Sequence, residues 1–143
     1  QDSEAVSRFV GSDPGGYAMA TTGKSRILVV DDEALVRKVL VRILARQGYE
    51  VEEAETSVDA RQRLQSRGGG YGLLVTDLGL PDGDGLDLAR WTRQVRPNCG
   101  VLLTTGSVHD VDAGELGPVL RKPFDVTTLM GAVDAALAPN SHA

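Results

Sequence analysis

Residues Arg26 to Glu33 read RILVVDDE, an apolar run that stops at two adjacent carboxylates. Four consecutive apolar residues, Ile27 to Val30, suit a strand buried on both faces, which places Asp31 and Asp32 where that strand leaves the core. Two anions at one strand end admit two explanations. One of them caps a helix starting at Glu33, or the pair belongs to a hard-cation site at the carboxyl edge of a parallel sheet.

The rest of the chain alternates in kind. Leu35, Val36, Val39, Leu40, Ile43 and Leu44 recur at helical spacing, with Arg37, Lys38, Arg42 and Arg46 between them, so an amphipathic helix is expected over residues 33–47. Gly48 offers a left-handed cap and a short strand follows at 49–54. Helix is expected again over 57–67, held by Val58, Ala60 and Leu64, before the glycine break at 68–70. GLLVT at 72–76 is a second continuous apolar run and again ends in a carboxylate, Asp77. A helix with Leu86, Ala89, Trp91 and Val95 as buried positions, strands at 101–105 and 119–120, and a helix over 125–138 capped by Asp125 complete the pattern. Residues 1–25 read as a loose tail or linker, 26–138 as the domain and 139–143 as a short C-terminal tail. The chain opens on Gln1 and not on Met, which fits either a piece of a longer protein or a processed form.

With 143 residues, 41% hydrophobic and 24% charged, the chain suits one domain with a real core. A net charge of -5 with scattered basic residues argues against direct nucleic-acid binding. The apolar stretches are strand-sized, so membrane insertion is not expected and a cytoplasmic setting is. The single cysteine, Cys99, excludes an internal disulfide and reads as packing, while His109 and His142 read as solvated.

Strands alternating with helices imply an α/β doubly wound parallel sheet. Right-handed crossovers put every strand's carboxyl end on one edge, where such folds build their sites. Asp31, Asp32, Asp77, Thr105 and Lys122 each stand at a strand end. Three converging carboxylates repel unless a cation neutralises them, and magnesium, which accepts oxygen ligands and keeps several waters, is the expected one. Lys122 adds a fixed positive charge and Thr105 a hydroxyl. The set describes a phosphoryl cradle in which a carboxylate attacks in line.

These residues resemble the receiver domain of response regulators in two-component signalling, over roughly residues 25–138. The acidic pair of VVDDE, the frame Asp77, Pro81, Asp84 and Gly85 in TDLGLPDGDG, Thr105 with Gly106, and Lys122-Pro123-Phe124 occur in the family's order. The resemblance implies a flavodoxin-like five-stranded sheet of order 2-1-3-4-5. It implies that Asp77 accepts a phosphoryl group from a phosphohistidine of a sensor histidine kinase or phosphotransfer protein. Asp32 would bind Mg2+ directly, Asp31 largely through water, and the backbone carbonyl of Gly79 would complete the protein ligands. Lys122 would contact the phosphoryl oxygens and the acceptor carboxylate, and its bond to Pro123 is expected to be cis. The chain would then be a self-catalysed phosphoacceptor and not an enzyme in the ordinary sense, either signalling or draining phosphate.

Two departures stand out. Many receivers carry Tyr or Phe three residues before the lysine, where this chain has Val119, and the stretch between Gly106 and Pro118 is short, so a short or degenerate fourth helix is expected. The face usually used for dimerisation or output is then not used in the common way. A C-terminal receiver of a hybrid sensor kinase and a stand-alone regulator both fit. Other readings fare worse. A haloacid dehalogenase-type phosphatase needs an acid where Gly79 stands, and a calcium loop from Asp82 lacks glycine at its sixth position and glutamate at its twelfth. AMATTGKS at 18–25 precedes its strand, whereas a phosphate loop follows one. A non-enzymatic cation-binding module remains the plain alternative.

Overall fold

The structure, a computed structural model, describes residues 25–66, 70–107 and 116–142. The expected N-terminal tail with its AMATTGKS stretch, Gly68 and Gly69, the expected degenerate fourth helix, His109 and the side chain of His142 lie outside the described residues.

Strands β1 (Arg26–Val30), β2 (Glu50–Ala54), β3 (Leu73–Asp77), β6 (Gly100–Thr105) and β7 (Val119–Arg121) form a five-stranded sheet. Its order is β2-β1-β3-β6-β7 and every pairing is parallel. Counting its strands in sequence, this is the expected order 2-1-3-4-5. Between β3 and β6 the chain adds a small antiparallel hairpin, β4 (Gly79–Leu80) with β5 (Gly83–Asp84), which the sequence pattern did not predict. Helices α1 (Ala34–Arg46), α2 (Ser57–Gln65), α3 (Gly85–Val95) and α4 (Val126–His142) connect or follow the strands.

The continuous apolar runs have a direct cause. Side chains alternate across a strand, so Ile27 and Val29 pack on one face with Leu40 and Leu44 of α1 and Leu129 and Val133 of α4. Leu28 and Val30 pack on the other with Ala60 and Leu64 of α2 and Leu88 of α3. Both faces of β1 being covered, Ile27 to Val30 are all apolar.

Local signals set several boundaries. Gly48 has φ 96°, a left-handed position that favours glycine. Asp125 accepts from the Thr128 amide at 2.7 Å, and Asp84 caps α3 by accepting from Leu86 N–H at 2.8 Å. The capping explanation for the acidic pair is corrected. The N-cap of α1 is Glu33, whose side chain makes no cap bond, while Asp31 Oδ1 accepts the Glu33 amide at 2.9 Å in a turn before the helix. Four expected core positions also move. Leu35, Val39, Val58 and Val95 are exposed, because the stripes of α1, α2 and α3 centre on Leu40 and Leu44, on Ala60 and Leu64, and on Leu88 and Ala89.

Candidate functional site

Three parallel strands deliver the site. From β1 the chain runs outward to β2 and then returns to β3 on the opposite side, so the sheet changes direction between β1 and β3. A crevice opens at such a switch point, beyond the carboxyl ends. Asp31 follows β1 and Asp77 ends β3, while Lys122 follows β7. The bond from Lys122 to Pro123 is cis.

The Lys122 ammonium joins the parts. Its Nζ donates to Asp31 Oδ2 at 3.0 Å, Asp77 Oδ2 at 3.1 Å and Glu33 Oε1 at 3.2 Å. An ammonium has three donors, and all three are taken by carboxylates. Burial lowers the ammonium's proton affinity, but the bonds to Asp31 and Asp77 outweigh it, holding the pKa above the ordinary lysine value. Asp77 moves upward too: burial disfavours its charge, and its bond to Lys122 offsets this only in part. Asp77 Oδ1 also accepts the Gly79 amide at 3.4 Å.

Asp31, Glu33 and Asp77 each offer an oxygen, and these atoms lie within 4.8 Å of one another. Hard oxygen donors at that spacing suit a divalent cation. One ammonium among three carboxylates leaves an excess of negative charge for a metal to offset, so the residues fit a metal of this class. Asp32 is exposed and stands outside that trio. Thr105 is buried at the end of β6. Its Oγ1 accepts the Ser107 amide at 3.0 Å, leaving the hydroxyl proton to donate.

Two residues escape the sequence reading. Glu33 looks like a helix start, yet its carboxylate reaches Lys122; its adjacency to the acidic pair was the available signal. Arg37 looks like part of the polar face but is 6% exposed. It donates to the Asp31 carbonyl at 2.7 Å, Glu53 at 2.9 Å and Glu55 at 3.4 Å, tying the acidic turn to β2 and the turn after it. The spacing of Arg37, Leu40 and Leu44 already placed it on the buried stripe.

The acidic frame also constrains Gly85. A Cβ there would stand 2.1 Å from the Asp77 carbonyl oxygen, so α3 can approach the end of β3 only with glycine. In the loop between, Asp82 accepts the Ser57 and Val58 amides at 2.8 and 3.0 Å, fastening the hairpin to the start of α2. Beside Lys122 a groove of about 580 Å³ runs past Leu35, Val39, Pro123 and Phe124.

A doubly wound sheet with a buried aspartate, an acidic turn and a lysine at its switch point defines a phosphoacceptor class. The chain belongs to the response regulator receiver domain family, whose sequence model matches residues 27–134. The response regulator receiver protein CpdR of Brucella abortus (strain 2308) is 32% identical over 117 residues, covering 78% of this chain and 96% of CpdR. The sensor kinase CckA of the same organism is 32% identical over 121 residues, covering 81% of this chain and 13% of CckA. The crystal structure of a response regulator receiver domain protein from Clostridium thermocellum matches with a TM-score of 0.74 at 26% identity, covering 83% of this chain and 98% of that one. The chain is therefore a phosphoacceptor receiver of two-component signalling. Receivers of this kind take phosphoryl groups from histidine kinases or phosphotransfer proteins. Among the described residues, no helix is long and apolar enough to cross a membrane.

Proposed function

We propose that Asp77 is the phosphoacceptor. A carboxylate oxygen of Asp77 attacks the phosphorus of a phosphohistidine, the P–N bond breaks, and the imidazole leaves with the bonding pair. The carrying observation is the Lys122 ammonium 3.1 Å from Asp77 at the switch point of the sheet. Lys122 supplies fixed charge toward the phosphoryl oxygens and the Thr105 hydroxyl supplies a donor. Mg2+ would be held by Asp77, the acidic turn of Asp31 and Asp32, and the Gly79 carbonyl. When bound, it supplies positive charge against the equatorial oxygens.

Leu35 and Val39 are exposed apolar residues of α1 that line the groove beside Lys122, and they suit the helix of a partner carrying the phosphohistidine. Substituting both with lysine should slow transfer from such a protein and leave phosphorylation by a small donor unchanged. Val119, 36% exposed on β7, has no ring to rotate, which supports an output that bypasses an aromatic switch.

The test is incubation with a small phosphodonor and magnesium. An acid-stable, hydroxylamine-labile adduct should form on the wild type and vanish in Asp77→Asn. An adduct that persists in that variant moves the acceptor elsewhere, and none on the wild type removes the assignment.

A further inference from the structure

Lys122 has no donor to spare. Asp31 is 1% exposed and doubly engaged, with Oδ1 on the Glu33 amide and Oδ2 on the ammonium. It cannot withdraw without unmaking the turn. Asp77 is the group that changes when phosphoryl arrives. The third partner differs from both: the Glu33 side chain is 62% exposed and has water on its outer side. It can leave the ammonium and be solvated at once, whereas a buried carboxylate stripped of its partner cannot.

We propose that Glu33 is a displaceable third carboxylate on Lys122, a positioning residue that holds the ammonium while Asp77 is unmodified and must release it when a phosphoryl group takes that donor. This rests on Asp77 being the acceptor. Two effects act in the same direction. The bond from Lys122 to Glu33 stabilises the resting protein only, and the Glu33 charge repels the anion that arrives. Both set the equilibrium against the phosphorylated form, so Glu33 tunes how readily the site charges without touching the reacting atoms.

The expected result follows from the size of exposed ion pairs. With magnesium saturating, Glu33→Gln should bind beryllofluoride about two- to fivefold more tightly than the wild type, the factor that losing such a pair commonly carries. It should also raise the fraction phosphorylated by a small donor at steady state. Saturating magnesium is essential, because Glu33 is one of three carboxylates that could hold a metal and its removal would weaken metal binding as well. Glu50→Gln, an equal charge change at an exposed site on β2, should leave the beryllofluoride affinity unchanged. In chelator, with no metal involved, the Lys122 side-chain NMR resonances should shift in Glu33→Gln.

Each outcome is decisive. Beryllofluoride affinity in Glu33→Gln equal to or below the wild-type value, unmoved Lys122 resonances, or an equal gain in Glu50→Gln overturns the proposal. Failure of the wild type to form an Asp77 adduct would instead overturn the acceptor assignment, so the two failures are told apart.

Discussion

Asp77 carries its charge where burial opposes it. Its pKa is raised because desolvation outweighs the bond to Lys122. The folded state thus holds this proton more tightly than the unfolded state, whose ordinary value is 3.8. The associated stability is complete below that value and is lost as pH rises through the higher folded pKa. In chelator, the stability of Asp77→Asn relative to wild type should therefore improve as pH rises from about 4 to about 7. Urea titrations across that range check it, and a flat difference would refute the burial account. Arg37 acts oppositely. Arg37→Met should cost about 1.5–3 kcal/mol, since a buried charged donor is lost and the Asp31 carbonyl and two glutamates lose a partner. The same titrations measure it.

At the scale of elements, short contacts between backbones position the site. The hairpin β4–β5 and the start of α3 are pressed onto the end of β3, with Gly85 N–H donating to the Leu78 carbonyl at 2.8 Å. Gly85→Ala should destabilise by about 1–3 kcal/mol, the usual range for overpacking, and slow adduct formation by moving the end of β3. Denaturation midpoints and adduct rates give the two readouts; an unchanged rate would mean that β3 does not shift. The small hairpin itself was missed, since two residues per strand give no period to detect. By contrast, β1, β3 and β6 were legible because each holds three or four apolar residues in a row, and the helices because a helical stripe exceeds the noise of local composition.

At the scale of the molecule, helices cover both faces of a sheet whose inner strand β1 is apolar on both sides. Leu102, fully buried in β6 among the residues under α1 and α4, should cost about 2–5 kcal/mol when changed to alanine, read from the denaturation midpoint at constant slope. Beryllofluoride with magnesium should raise the Tm, since a ligand bound only by the folded state stabilises it. Chelator should abolish the rise, and a rise that survives chelator would point to another site.

The sequence by itself determined the alternation of strand and helix that makes the layers, and it put the candidate site residues at strand ends. Buried parallel strands must be apolar throughout, and a charge at the end of such a run can only stand at the sheet edge. Asp31 and Asp77 were legible for that reason, whereas Thr105 and Lys122 were legible from their places after shorter strands and in the family's motifs. Only the tertiary structure decided how these groups share their bonds. Lys122 is 91 residues from Asp31 and 89 from Glu33, separations at which no local pattern records a contact. Folding brought the ammonium to Glu33, buried Arg37 under the acidic turn and left Asp32 outside the trio, because hydrogen-bond allocation depends on where strands end in space.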